Sequence, residues 1–252
     1  MNCDPSFEKS LERSGTAMTA QAYFNGFPKE CVTFYTELQK NNTKTWFNEH
    51  KREYEQFVMA PACDFVGEMG NALKTLAPSI VADPRVNKSI FRPYRDIRFS
   101  KDKTPYKTHL GIFFWEGHLA KMDCPGFYFH LEPPMVMLGV GNHCFSKHIL
   151  ELYRDSVVDP KFGKALAKAV QKVQSKGDYE IGEKQYKKVP RGYDKNHENA
   201  DLLLMGGLTA AFSTQIPEAL HSKDFIHYAL EKFKDMSPIH TWLLEMIGRL
   251  KK

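Results

Sequence analysis

The sequence predicts an α+β fold: an antiparallel β-meander with helices from the N- and C-terminal thirds packed on it. Three observations carry this expectation. Apolar residues recur at three- and four-residue spacing through the first third of the chain. Between residues 108 and 140 they alternate singly instead, and from residue 149 helical spacing returns. Helices, then consecutive strands, then helices exclude a doubly wound parallel sheet, in which strands and helices alternate one by one.

Residues 1–25 have no periodicity and are read as a poorly ordered tail, followed by a single domain over 26–252. A helix is expected from Pro28, a good first-turn residue, with Cys31, Val32, Tyr35 and Leu38 on one face and Asn41-Asn42 as its end. Thr43 is placed to cap a second helix, in which Trp46, Phe47, His50, Tyr54 and Phe57 recur. Pro61 is expected to open a third helix, using Phe65, Met69, Ala72 and Leu76 and ending before Pro78. Three strands follow: Leu110, Ile112 and Phe114; then Phe127, Phe129 and Leu131; then, after Pro133-Pro134, Val136, Leu138 and Val140. Short connections make these neighbours antiparallel. Ile149, Leu152, Tyr153 and Ser156 line a further helix, and Phe162, Leu166, Ala169, Val170 and Val173 another. An extended stretch from Tyr179 to Tyr193, a strand from Leu208 to Thr214 and two helices, near 222–235 and 238–250, complete the reading.

The chain is 252 residues long, 42% hydrophobic and 26% charged, the proportions of a soluble globule with a sizeable core. No charge-free apolar run is long enough for a spanning helix, so no membrane partner is expected. Asp4, Glu8 and Glu12 interrupt any secretory leader within this stretch. Cys3, Cys31, Cys63, Cys124 and Cys144 are scattered without C-x-x-C spacing, as in a reducing compartment, and a cytoplasmic protein is expected.

The chemistry concentrates between Arg92 and Lys107. Arg92, Arg95, Arg98, Lys101, Lys103 and Lys107 face only Asp96 and Asp102 there, whereas the whole chain carries a net charge of +5. Crowded cations repel one another and must stay hydrated or find partners. The interleaved Pro93, Tyr94, Phe99, Pro105 and Tyr106 argue for a structured segment, whether extended or turned. Two readings follow. In one, Arg92, Arg95, Arg98, Lys103, Tyr106 and Lys107 line a pocket for a phosphate- or carboxylate-bearing small molecule, Asp96 orienting one arginine. As an enzyme, its acid–base candidates would be Asp96, Tyr106 and His109. In the other, the arginines only stabilise the fold through Asp96, Asp102 and acids elsewhere such as Glu132.

The run Arg92-x-x-Arg95-Asp96-x-Arg98-Phe99-x-x-Asp102-Lys103-x-x-Tyr106 resembles the defining motif of the domain of unknown function 2461 family. Three further segments are similar: NN-x-x-x-WF-x-x-x-K from Asn41 to Lys51, PGFYFHLEP from Pro125 to Pro133, and PRGY from Pro190 to Tyr193. The resemblance spans about residues 27–250 and implies a shared fold over that extent, without implying a particular activity.

Other constellations carry less. Tyr128, His130 and Glu132 share a strand face, with His109 on a neighbouring strand; a histidine beside a carboxylate suits proton transfer or half a metal site, but such faces are ordinarily just polar. His143, Cys144 and His148 lack the second ligand pair of a structural zinc site, so neither metal nor cofactor is expected. Lys161, Lys164, Lys168 and Lys172 form a stripe opposite an apolar helix face, read first as solvated surface. With the arginine stretch it keeps nucleic acid open as a partner, although no base-reading module accompanies it.

Overall fold

A computed structural model describes residues 23–250. The tail expected over 1–25 lies outside the described residues as far as residue 22; Phe24, near its end, is buried against Phe27 and Phe65.

Helix α1 (Lys29–Lys40) follows Pro28 and buries Cys31, Phe34, Tyr35 and Leu38. The Asn41 side chain closes it by donating to the Glu37 carbonyl at 3.0 Å. Thr43 caps α2 (Lys44–Glu49), its hydroxyl accepting from the Trp46 amide at 3.2 Å. The helix expected to run on to Phe57 breaks instead at His50. The His50 ring stacks on Trp46 at 4.0 Å, and Nδ1 donates to the Trp46 carbonyl at 2.8 Å, sharing that acceptor with the His50 amide at 3.1 Å.

Past the break, α3 (Lys51–Glu53) widens into a π-helical segment, Tyr54–Met59, and continues as α4 (Ala60–Leu73). Pro61 therefore does not begin a separate helix. It sits just after a turn in which the Ala60 amide reaches five residues back to Glu55, a widened geometry that relieves the crowding a proline ring causes.

The meander is β1 (Leu110–Trp115), β2 (Gly126–Glu132) and β3 (Met135–Asn142). The chain then passes through α5 (Lys147–Val158) and α6 (Phe162–Gln174), touches the sheet at the two-residue β4 (Glu180–Ile181) and returns as β5 (Leu208–Gln215). All pairings are antiparallel, in the order β1-β2-β3-β5-β4. The extended stretch expected from Tyr179 to Tyr193 is thus mostly turn and loop.

The two C-terminal helices expected are one, α7 (Phe225–Ile247), with Pro238 inside it. Proline has no N–H for the Lys234 carbonyl four residues back. The Ser237 hydroxyl donates to that carbonyl instead, at 2.8 Å, so the interruption leaves no unmet acceptor.

Helices α4 and α7 cover one face of the sheet. Phe127 meets Phe233 at 5.4 Å, and Phe129 lies between Phe65 and Phe225, at 5.1 and 5.5 Å. Each such ring, fully buried, contributes about 1.5–3 kcal/mol. The carboxylate buried on this side is satisfied internally, while Nδ1 of its partner His240 is buried without a hydrogen bond. Glu116 accepts from the Ser79 amide and from His240 Nε2, both at 2.8 Å, tying α7 to the end of β1. The opposite face carries Tyr128, His130 and Glu132, which are half-buried.

Candidate functional site

The arginine stretch is an irregular hairpin against the outer edge of β1. Its base is paired where the Arg95 amide donates to Pro105 at 2.9 Å and the Lys107 amide to Pro93 at 2.7 Å. Asn42, from the turn between α1 and α2, clamps this base. Its side-chain amide donates to the Tyr106 carbonyl at 2.9 Å and accepts from the Tyr106 amide at 3.0 Å. The Tyr106 ring stacks on Phe47 at 4.0 Å and is 2% exposed, which places it in the core rather than facing a ligand.

At the hairpin's tip the charges largely satisfy one another. Arg98 forks onto Asp96 at 2.9 and 2.6 Å, and this holds the exposed carboxyl down at about 2. Asp102 is held at about 2 as well, chiefly by the Thr104 amide and then by Arg95, which also meets the Thr104 hydroxyl. Lys103 donates to the Ile97 carbonyl at 2.8 Å. These residues shape the loop; they do not fasten the sheet to the helices.

Arg92 and Lys107, at the hairpin's base, have no ion-pair partner among the described residues. Lys107 lies 5.2 Å from the centre of the Phe91 ring. Lys121, from the connection between β1 and β2, lies 4.2 Å from the same ring and 5.6 Å from Trp115. Burial, then Lys107 and Lys88, pull the Lys121 ammonium down to about 8. Burial, then Arg92, also lowers Lys107. Nothing local in the sequence joins Lys121 to the arginine motif; the strand pairing does.

Beside Phe91 a chain of polar groups crosses the open face. The Tyr128 hydroxyl lies 3.1 Å from His130 Nδ1, His130 Nε2 lies 3.4 Å from Glu132 Oε2, and the Thr108 hydroxyl donates to Glu132 Oε1 at 2.6 Å. Burial raises the Glu132 carboxyl, but the bonds from Thr108 and His130 and the nearby imidazoles outweigh it, so the net direction is down. An ionised Glu132 only accepts, which puts the proton of a neutral His130 on Nε2 and leaves Nδ1 to accept from Tyr128. Burial favours that neutral imidazole, against the pull of Glu132. The Tyr128 phenol is raised to about 12, by burial and then Glu132.

Gly111 makes this arrangement possible. A Cβ there would lie 2.6 Å from the Tyr128 hydroxyl and 3.2 Å from the Phe91 ring. His109, two residues earlier on the same face, lies against His130 with ring centres 4.2 Å apart; burial, then His130, holds its imidazole at about 4. The donor atoms of His109, His130 and Glu132 all lie within 4.8 Å of one another. His143 and Cys144, just past β3, and His148, in the first turn of α5, are exposed and do not join them.

Of the residues expected to act together, Lys107 and His109 come to the open face with His130, Glu132 and Tyr128, while the exposed Arg92 lies within charge range of both Lys107 and Asp96. Arg95, Arg98, Asp96 and Lys103 are engaged at the hairpin's tip. A cleft of about 210 Å³ lies elsewhere, among α1, α2 and the π-helical segment, and carries the acidic Glu30, Glu37 and Glu53. The lysines of α6 lie beside β4, at the far edge of the sheet from the hairpin on β1, so the two basic stretches do not form one surface.

The molecule is thus an α+β domain with one helix-covered and one ionisable sheet face. The family model described as conserved hypothetical protein (DUF2461) matches residues 30–242, and the chain belongs to that family. No curated protein and no solved structure matches it. Among the described residues, no helix is long and apolar enough to cross a membrane.

Proposed function

We propose that this protein binds a phosphate- or carboxylate-bearing small molecule on the open sheet face, where Lys107 and Lys121 flank Phe91 and Arg92 follows it in the chain. The observation that carries this reading is the crowding of Lys107 and Lys121. Both are half-buried over one aromatic ring, with no carboxylate in ion-pair reach among the described residues. Two partly desolvated ammonium groups that repel each other cost stability, and an anion between them would offset that cost. Phe91 adds a flat apolar wall, and Arg92 a fork suited to two oxygens. The separation of the basic stretches favours a small ligand over nucleic acid.

Titrating phosphate against a chloride control of equal ionic strength, while following the melting temperature, tests the site. The wild type should gain stability saturably, Lys121→Met should lose that gain, and Arg98→Ala should keep it. An equal response in wild type and Lys121→Met would refute the assignment.

A further inference from the structure

The geometry points to a transition-metal site of the zinc class on the open face, with His109, His130 and Glu132 as its three protein ligands. It departs from the absence of metal expected from the sequence and does not depend on the anion-binding reading. Leu110 pairs with Leu131, so His109 and Glu132 are the next residues opposite one another, and His130 lies two positions along β2 on the same face. Two hydrogen-bonded strands therefore aim two imidazoles and a carboxylate at one point.

The spacing fits a shared ion better than a hydrogen bond. His130 Nε2 and Glu132 Oε2 are 3.4 Å apart, wide for N–H···O. Two ligands each about 2.1 Å from one tetrahedral ion lie about 3.4 Å apart. The three donor atoms lie within 4.8 Å of one another, against roughly 4.2 Å at most around such an ion, so small side-chain adjustments close the set.

Supporting partners are in place as well. Thr108 donates to Glu132 Oε1, leaving Oε2 for the ion. With Nε2 ligated, the imidazole proton of His130 moves to Nδ1, which then donates to the Tyr128 hydroxyl 3.1 Å away. Such outer bonds orient metal-bound histidines and carboxylates. His109 makes no competing hydrogen bond to another described residue; its ring lies against that of His130. Two nitrogens and one oxygen suit borderline dications. Three protein ligands with an open position are the pattern of a reactive rather than a structural site. Lys107, whose charge reaches His109, opposes the cation, and Glu132 partly offsets it.

Zn²⁺ binding by calorimetry, and Co²⁺ binding by visible absorption, can be measured on chelator-treated protein free of added phosphate. One equivalent should bind, with a cobalt spectrum of low coordination number. His109→Ala and Glu132→Gln should abolish it while retaining wild-type melting in chelator. Tyr128→Phe should weaken binding about 10-fold or more through loss of the outer hydrogen bond. Lys107→Met should tighten it, an effect that a purely structural cluster would not produce. Lys121→Met should leave it intact, which separates this site from the anion site. No saturable binding, or binding unchanged in both His109→Ala and Glu132→Gln, would overturn the assignment.

Discussion

The two faces of β2 use the same backbone for opposite ends. Phe127, Phe129 and Leu131 point to α4 and α7 and are fully buried. Tyr128, His130 and Glu132, each one residue along, point away from both helices and hold one another by hydrogen bonds. On the covered face, ionisable groups are exceptional, and Glu116 and His240 pair with one another. On the open face, Lys107 and Lys121 have no ion-pair partner among the described residues. On that side Lys121 is met by the Lys88 carbonyl rather than by a carboxylate.

The largest way to break this contrast lies on the covered face. Phe129→Ala should cost about 3–5 kcal/mol in urea unfolding, because a ring wedged between Phe65 and Phe225 leaves a cavity. Gly111→Ala should cost about 1–3 kcal/mol, as the new methyl displaces the Tyr128 hydroxyl. It should also weaken any ligand held beside His130, whereas Phe129→Ala should change stability first.

A smaller effect is a pH dependence. Lys121 titrates at about 8 in the folded protein against 10.5 ordinarily, with Phe91, Trp115, Lys107 and Lys88 around it. Between those values the unfolded chain keeps the proton and the folded chain gives it up. Stability should therefore rise with pH across that window, with the penalty fully present below about 8. Lys121→Met should flatten the rise, as should saturating phosphate if it occupies the site. Smallest of all is Arg98→Ala, which removes an exposed pair with Asp96 and should leave the urea midpoint unchanged within error. A marked loss there would move the hairpin's tip from shape to stability.

Much of the fold was legible because burial imposes period on sequence. Alternation located all three meander strands to within two residues, and Thr43 capped the helix it was expected to cap. What escaped were cases in which a side chain takes up a backbone carbonyl. Ser237 carries α7 through Pro238, and His50 breaks a periodic run with no proline or glycine to announce it. Within the site, the Tyr128, His130 and Glu132 face could be read from β2 alone. The tip pairings were half legible, since Asp96 lies two residues from Arg98. Lys121 and the clamp on Tyr106 were not, because long-range pairing brings them there.

That clamp has a further consequence. Asn42 stands 64 residues from Tyr106, yet its carboxamide serves as a one-residue splint, occupying both backbone groups a neighbouring strand would take. The helical turn and the basic hairpin therefore behave as a single mechanical part. A substitution at Asn42 should loosen the posture of Arg92 and Lys107 without touching either, so the Asn-Asn and arginine segments of this sequence describe one object written in two places.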